Sequence, residues 1–314
     1  MKALVTGAAG FIGSRLAARL VEDGHEVVGL DDLSDGKLEN LDDAAEASFV
    51  EADLRDREAV ARAAAGCDVI FHQGAKRSVP RSLADPALTT EVNVSGTLNV
   101  LMAARDTGAR VVSASSSSVY GDQDTFPLRE GMLPRPKSPY AASKLAGEAY
   151  ARAFWTSLGT PTVSLRYFNV YGPRQDPASE YAAVVPRFIM ACLIGGRPTI
   201  HGDGEQARDF TYVDDVVEAN LRAAAAPEAA FGSAFNVGGG ASPTSINRLL
   251  ALIAELTGAA PDPIREPPRE GDVRYTAADI TQAVEVLGHR PSVEIRQGLR
   301  RTVEWFRDRV VTSA

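Results

Sequence analysis

The stretch "KALVTGAAGFIGSRLAARLVEDG", Lys2 to Gly24, decides the fold. "KALVT" (2–6) is a short apolar strand. "SRLAARLVEDG" (14–24) is a helix with Leu16, Leu20 and Val21 on one face and Gly24 as its stop. Between them "TGAAGFIG", Thr6 to Gly13, spaces Gly7, Gly10 and Gly13 as G-x-x-G-x-x-G. A plain tight turn would account for such glycines in isolation. Placed between a strand and a helix start, they suit a pyrophosphate, because free backbone N–H groups and the helix dipole meet there. The missing side chains permit the turn and a close backbone approach. Asp31 ends the next strand, eighteen residues after Gly13. A carboxylate there accepts hydrogen bonds from both adenosine ribose hydroxyls and repels a 2′-phosphate, which favours NAD over NADP. The competing reading of Asp31 and its neighbour Asp32 is a solvated loop. Asp53, before Leu54, either holds the adenine amino group or caps the following helix.

Outward from this unit the pattern repeats. "EVVGLD" (26–31), "SFVEAD" (48–53), "DVIFHQ" (68–73), "RVVSASS" (110–116) and "TVSLRYFN" (162–169) are further strands, and "REAVARAAAG" (57–66) and "VNVSGTLNVLMAARDTG" (92–108) are helices between them. Strands apolar throughout, separated by amphipathic helices, mean a parallel sheet covered on both faces, an α/β fold. After Asn169 come loops rich in Gly and Pro, "YGPRQDP" (171–177), "HGDGEQ" (201–206) and "PDPIREPPREGD" (261–272). Helices recur near 184–194, 214–225, 245–257 and 295–309. The division expected is a first domain over 1–168 and a smaller lobe over 169–314, with segments near 210–240 ("FTYVDD", "FNVGGG") returning to the first. The sequence shows no internal repeat, low-complexity tract or charged tail.

The chain has 314 residues, 45% apolar and 24% charged, with a formal charge of −8. That length carries a large core and roughly two domains. The negative balance argues against a nucleic-acid or anionic-membrane surface. No apolar run reaches the roughly 18 residues of a membrane span, and no signal-peptide pattern stands before the strand that begins at Lys2. Cys67 and Cys192 lie too far apart for metal or redox spacing. Two packed thiols in a reducing cytoplasm is the expectation, with no metal site.

"SPYAASKLAGE", Ser138 to Glu148, carries the chemistry. Ser138 suits an N-cap and Pro139 the first helical position. Tyr140 and Lys144 then share a helix face at i and i+4. A free phenol titrates near about 10, too high for a base at neutral pH. A nearby ammonium and a cationic nicotinamide ring lower that value, making tyrosine a general acid/base. The alternative is an amphipathic helix with an exposed lysine. Upstream, "SASSSSVYGD" (113–122) closes a strand with five serines among the six residues 113–118. Ligands bind at such strand ends, where a hydroxyl can donate to a developing oxyanion; a polar turn is the competing reading.

Together these residues resemble the extended short-chain dehydrogenase/reductase family and, within it, the nucleotide-sugar 4-epimerases of the UDP-glucose and UDP-N-acetylglucosamine type. The resemblance runs along the whole chain in the family's order: "TGAAGFIGS", "DDLSDG", "EADLRD", "HQGA", "EVNVSGTLNVL", "SSSSVYG", "SPYAASKLAGE", "LRYFNVYGPRQDP", "GDGEQARDFTYVDDVV", "FNVGGG" and "REGDVRYTAADI". It implies a Rossmann-type doubly wound parallel sheet with a smaller, interleaved C-terminal lobe for substrate, a cytoplasmic homodimer, and inversion at C4 of a UDP-hexose through a transient 4-keto sugar, with NAD regenerated in each turnover. Tyr140 resembles the acid/base, Lys144 its partner, and Ser116 the hydroxyl that bonds the sugar O4. The cofactor residues implied are Gly7, Gly10, Phe11, Ile12, Gly13, Asp31, Asp32, Leu33, Ser34, Asp53, Leu54, Gln73, Ala75, Asn93, Tyr140, Lys144, Tyr167 and Val170. Asn169 resembles a contact to the substrate diphosphate. Val184, Val185, Arg187 and Phe188 resemble the loop gripping the nucleotide, and Ile200 and His201 would lie beside the uracil. His201 is as well read as a surface loop histidine. Arg208 and Arg269 resemble diphosphate clamps, a task suited to guanidinium forks, and Asp272 the ribose ligand. Ser78, Val79 and Ser117 would line the sugar site. Thr276, four residues beyond Asp272, would lie beside the sugar C2 substituent, where a small residue leaves room for an N-acetyl group. His25 and His289 are surface or packing residues.

"HQGAKRSV" departs from relatives in carrying Gly74, Lys76 and Arg77; Arg77 would meet a phosphate, a sugar acid or solvent. A 4,6-dehydratase of the same fold would carry Asp-Glu where this chain has Ser117 and Ser118. A uronic-acid epimerase would differ at Asn169 and Asp176, and Arg77 keeps that reading open. A non-catalytic NAD-binding regulator is disfavoured because Tyr140 and Lys144 are both kept.

Overall fold

In the computed structural model, residues 1–177, 183–240, 242–268 and 274–312 are described. The parallel sheet has seven strands: β1 (Lys2–Thr6), β2 (Glu26–Asp31), β3 (Ser48–Glu51), β4 (Val69–His72), β5 (Arg110–Ser116), β6 (Thr162–Tyr167) and β7 (Ser233–Val237). Their order is β7-β6-β5-β4-β1-β2-β3, and every pairing is parallel. The order reverses between β1 and β4, which opens a crevice at the carboxyl ends of the strands. β7, containing the start of "FNVGGG", pairs with β6 from Ser233↔Val163 to Val237↔Tyr167. The chain therefore returns to the first sheet after leaving it at Tyr167.

Helices cover both faces. On one lie α1 (Phe11–Glu22) and, from later in the chain, α6 (Val213–Ala224). Their buried Leu16, Leu20, Val216 and Val217 join Val5, Phe71, Val112 and Leu165 of the strands in one core. On the other face α2 (Arg57–Ala63), α3 (Gly96–Thr107) and α4 (Pro139–Leu158) enclose Leu4, Ile70 and Val111 together with Val60, Val100, Leu101 and Phe154. Strands buried on both faces leave little room for polar side chains, which is why they read as unbroken apolar runs.

A separate apolar cluster holds α5 (Val184–Leu193), α7 (Ile246–Thr257) and α8 (Ile295–Thr312), through Phe188, Ile189, Leu249, Ile253, Leu299 and Phe306. The helices expected in this half are present within a few residues. A helix at Thr281–Leu287 and two short ones at Val79–Ala84 and Pro86–Thr90 were not expected. Each is near the minimum length for a periodic signal, and two of them start at or beside a proline, which reads first as a turn. α3 starts later than its pattern suggests, because Glu91–Ser95 forms a wider π-type turn, a form that recurs at functional sites. Among the described residues, no helix is long and apolar enough to cross a membrane. Cys67 and Cys192 are buried free thiols, and His289 is fully buried.

Candidate active site

A cavity of about 540 Å³ lies along the carboxyl ends of the strands, lined by residues following each of β1 to β6. At its floor is the glycine loop. Gly7 adopts φ +67, and a Cβ there would stand 2.7 Å from the Gly74 Cα and N. A Cβ on Gly13 would stand 2.0 Å from the Gly7 carbonyl oxygen. The loop and the first turn of α1 are thus packed backbone to backbone, and side chains are excluded by contact as well as by conformation. Gly10 is the N-cap and provides no side-chain cap, so the first amides of α1 are left for a ligand. Phe11, Ile12 and Gly13 line the cavity there. This donor set fits a dinucleotide pyrophosphate.

The loop is braced from below. Thr6 Oγ1 meets His72 Nδ1 at 2.8 Å, and His72 Nε2 meets Thr97 Oγ1 at 2.9 Å, joining β1, β4 and α3. Burial pushes His72 down to about 3, with Lys144 adding to the fall, so it is neutral at working pH and acts as a fixed strut. Gly74 N donates to the same Thr6 hydroxyl at 3.2 Å.

Asp31 is not on a solvated loop. It is 7% exposed, and its carboxylate accepts from Ala9 N at 3.0 Å and Leu33 N at 2.9 Å. Burial raises its pKa above the ordinary carboxylate value against the effect of those two amides. Each oxygen keeps a lone pair, so the group can still accept ribose hydroxyls from the cavity it lines. Leu33, at φ +55, takes the left-handed conformation that brings its amide onto Asp31. Asp32 accepts from the Ser34 amide at 3.0 Å and hydroxyl at 2.5 Å. Lys76 Nζ reaches Ser34 Oγ at 2.5 Å across the mouth.

The alternative for Asp53 as a helix cap does not hold. Asp56 caps α2, accepting from Glu58 N and Ala59 N at 3.0 Å each. Asp53 instead accepts the Arg55 amide and guanidinium, which hold its carboxyl below the usual range, and it lines the cavity beside Leu54. Gln73, Ala75, Tyr167 and Val170 line it too. Gln73 accepts from the Tyr167 hydroxyl at 3.0 Å and donates to Asn220 at 2.9 Å. Asn93 lies behind the wall, 3% exposed. Its side chain bonds both main-chain groups of Lys76, at 2.7 and 3.0 Å, and donates to Ser143 Oγ at 2.9 Å. It thereby fixes the Lys76–Arg77 loop to α4.

At the other end of the cavity stand Ser116, Ser117, Ser118 and Tyr140. α4 begins as its sequence implies, with Ser138 Oγ accepting from Ala141 N at 3.1 Å and Pro139 in the first turn. Tyr140 is held by burial above the ordinary phenol value, opposed by its hydrogen bond with Ser116 and by the Arg77 charge. The Lys144 ammonium donates to the Ala114 carbonyl at 2.9 Å, and burial pushes it down to about 8, with Glu148 opposing the fall.

Other expected residues fall further out. Asn169, at φ +31, lines the cavity, but its amide donates to the Asp209 carbonyl at 2.9 Å and lies 3.4 Å from Thr276 Oγ1. Only its side-chain oxygen is left for a ligand. Thr276 is therefore beside a cavity residue without lining the cavity itself. Val185, Phe188 and Ile200 are core residues and do not line the cavity. Val184 and Arg187 flank them on α5. His201 Nδ1 lies 3.4 Å from Glu266, while its buried Nε2 has no partner among the described residues. Arg208 donates to the Ala207 carbonyl at 3.0 Å. Ser78 caps the helix Val79–Ala84 by accepting from Arg81 N at 3.2 Å. Arg269 and Asp272 lie outside the described residues.

Among the cavity residues that sequence reading did not single out are Trp305 and Arg174. Trp305 arrives from α8, far along the chain. Arg174 takes φ +68 and pairs with Asp43; only its place in "YGPRQDP" pointed to it. Among the described residues, no cluster of His, Cys, Asp and Glu suits a metal.

The profile of the NAD dependent epimerase/dehydratase family matches residues 3–238. The chain belongs to that family. It is an extended short-chain dehydrogenase/reductase of the nucleotide-sugar 4-epimerase type, its cofactor is NAD, and the glycine loop and Asp31 are the features of this epimerase fold that fit NAD. The chain is 46% identical to the UDP-glucose 4-epimerase of Mycolicibacterium smegmatis over 315 aligned residues, covering 98% of this chain and 99% of that one. Its structure is similar to that of the UDP-glucose 4-epimerase of Thermotoga maritima with UDP-glucose, at TM-score 0.94 and 40% identity, covering 99% and 100% of the two chains. It is also similar to the UDP-N-acetylglucosamine 4-epimerase of Methanobrevibacter ruminantium in complex with UDP-N-acetylmuramic acid, at TM-score 0.93 and 38% identity over 98% of each chain.

Proposed function

We propose that the enzyme inverts C4 of UDP-glucose and UDP-galactose and of their 2-acetamido counterparts. The observation that carries this is that Tyr140 and Ser116 line one end of the cavity that begins at the glycine loop, with Lys144 one turn further along α4 and bonded to the Ala114 carbonyl of β5. NAD, when bound, supplies the hydride acceptor and donor at C4. Tyr140 takes the proton from the sugar 4-hydroxyl and returns it to the epimeric oxygen after the 4-keto sugar has turned its other face. Ser116 holds O4 through its hydroxyl. Raised by burial, the phenol is a weak acid that keeps the proton it has taken until the more basic alkoxide of the returning sugar accepts it. For the first step its phenolate needs the positive charges around it, Arg77 among them. The nucleotide is assigned to the 169–314 lobe, through Asn169, Arg208 and the α5 start, and Thr276 beside Asn169 leaves the C2 position open.

A second reading, UDP-glucuronate as substrate, is favoured by the Arg77 guanidinium beside Tyr140; Asp176, an acidic neighbour in the same cavity, opposes it. A dehydratase is disfavoured, since Ser117 and Ser118 stand at the cavity with no carboxylate in their places. The test is incubation with UDP-glucose, UDP-N-acetylglucosamine and UDP-glucuronate separately, with products identified by NMR. C4 epimers of the first two are expected. Turnover of UDP-glucuronate alone, or a 6-deoxy-4-keto product, overturns the assignment. The enzyme is also read as a homodimer, which light scattering checks.

A further inference from the structure

Beneath the candidate active site lies a buried ion pair that the reaction itself does not use. Glu148 follows Lys144 by one helical turn, and Arg166 lies on β6. Their side chains are 9% and 6% exposed. Arg166 Nε donates to Glu148 Oε1 at 2.9 Å and Nη2 to Oε2 at 2.6 Å. Ser115 Oγ donates to Glu148 Oε1 at 2.5 Å. Arg166 also stacks 4.8 Å from the centre of the Tyr120 ring.

The place of Ser115 matters. Ala114, before it on β5, holds Lys144 through its carbonyl. Ser116, after it, meets Tyr140. Glu148 thus grips the strand between the two residues that mount the acid/base pair. It is also one helical turn from Lys144, a partly buried lysine. We propose that Glu148 is a positioning residue for the reaction: its buried carboxylate keeps Lys144 in the ammonium form and, through Ser115, holds the end of β5 in register with Tyr140.

The electrostatic reasoning is direct. Burial strips water from Lys144 and favours its neutral form. The groups facing it are Glu148 and Tyr140 on its own helix and His72 at the end of β4, with Arg166 behind Glu148. His72 is neutral, being pushed down to about 3. Tyr140 is held protonated by burial. Glu148 is the one group in this set that opposes the fall of Lys144 to about 8. Taking its charge away leaves desolvation unopposed, so the folded-state value falls further, and ammonium is lost at lower pH.

The inference rests on the assignment of Tyr140 and Lys144 as the acid/base pair, and Lys144→Met in the same assay tests that separately: full turnover there sinks the assignment and the role of Glu148 toward Lys144 with it, whereas an inactive Lys144→Met beside unmoved Glu148 variants sinks the role of Glu148 alone. The test of Glu148 is kcat against pH for the NAD-loaded enzyme, on whichever UDP-hexose the parent turns over. Glu148→Gln keeps shape and removes charge. The alkaline limb of kcat should move down by about one pH unit, with turnover on that limb falling about tenfold and KM changing less than about twofold. Because Glu148→Gln strands a buried guanidinium, it can fail to fold. The pair Glu148→Leu with Arg166→Met removes both charges together and should move the limb in the same direction but by less, because the repulsion from Arg166 goes with it. A merely structural role predicts a lower yield or Tm with an unmoved limb. A kcat profile that superimposes on the parent's, in whichever of these variants folds, overturns the proposal.

Discussion

Replacing Asp31 by alanine removes one carboxylate with two partners in the protein and, on the reading above, two more in the ribose. The Ala9 amide, 3.0 Å away, belongs to a residue with no exposed surface, so it is left without a partner, at roughly 1–3 kcal/mol. The Leu33 amide lies on a partly exposed loop and can turn to water. Against this, burial holds the Asp31 carboxyl above its ordinary value. That penalty is absent below the unfolded-state value and fully present above the folded-state one, so at neutral pH its removal offsets part of the loss. The net for cofactor-free protein is a destabilisation of about 1–2 kcal/mol, which for a chain of 314 residues is a fall in Tm of roughly 1.5–3 °C. The effect on NAD is separate. Loss of one or two ribose hydrogen bonds should weaken binding by about 1–3 kcal/mol, some 5- to 150-fold in Kd. NADP should lose little, because the repulsion of its 2′-phosphate goes with the carboxylate. Titration calorimetry of cofactor-free parent and variant with both dinucleotides reads the ratio, and differential scanning fluorimetry reads Tm. Asp31→Asn, which keeps an acceptor oxygen for one amide, should recover part of the Tm while the ratio stays narrowed. An NAD to NADP preference unchanged in Asp31→Ala, or equal affinities in the parent, would refute the reasoning even if Tm fell as stated.

Tyr140→Phe keeps the ring that fills the site and removes the oxygen that moves the proton. Turnover should fall about 10²–10⁴-fold with NAD content unchanged, and a rate within twofold of the parent in an epimer-resolving NMR assay ends the assigned role. Thr276→Tyr, beside Asn169, should abolish turnover of UDP-N-acetylglucosamine while sparing UDP-glucose; equal loss of both shows that the bulk acts elsewhere.

The first six strands of the sheet, the longer helices and the turn chemistry at the starts of α1 and α4 were legible in the sequence alone. Alternation of apolar runs with helical stripes, the glycines after β1, and Ser138–Pro139 before α4 act over a few residues, so they can be read without knowing what lies opposite. The same range limits the reading. Asp53 and Asp56 both suit a cap, and only the path of the chain into α2 chose Asp56. The edge position of β7 was open until its register with β6 closed the sheet. Tyr140 and Lys144 were legible as a pair because one helical turn separates them. The burial that raises the phenol, and the Arg77 charge that opposes it, were not, because both depend on segments that arrive from elsewhere in the chain. Trp305, the His72 strut and the Glu148–Arg166 pair were invisible for a like reason. Each joins residues far apart in the chain, and a strand or helix pattern shows which residues turn inward but not which inward residues meet. Sheet order and register decide that, and with it the desolvation and the charges that set the chemistry of the site.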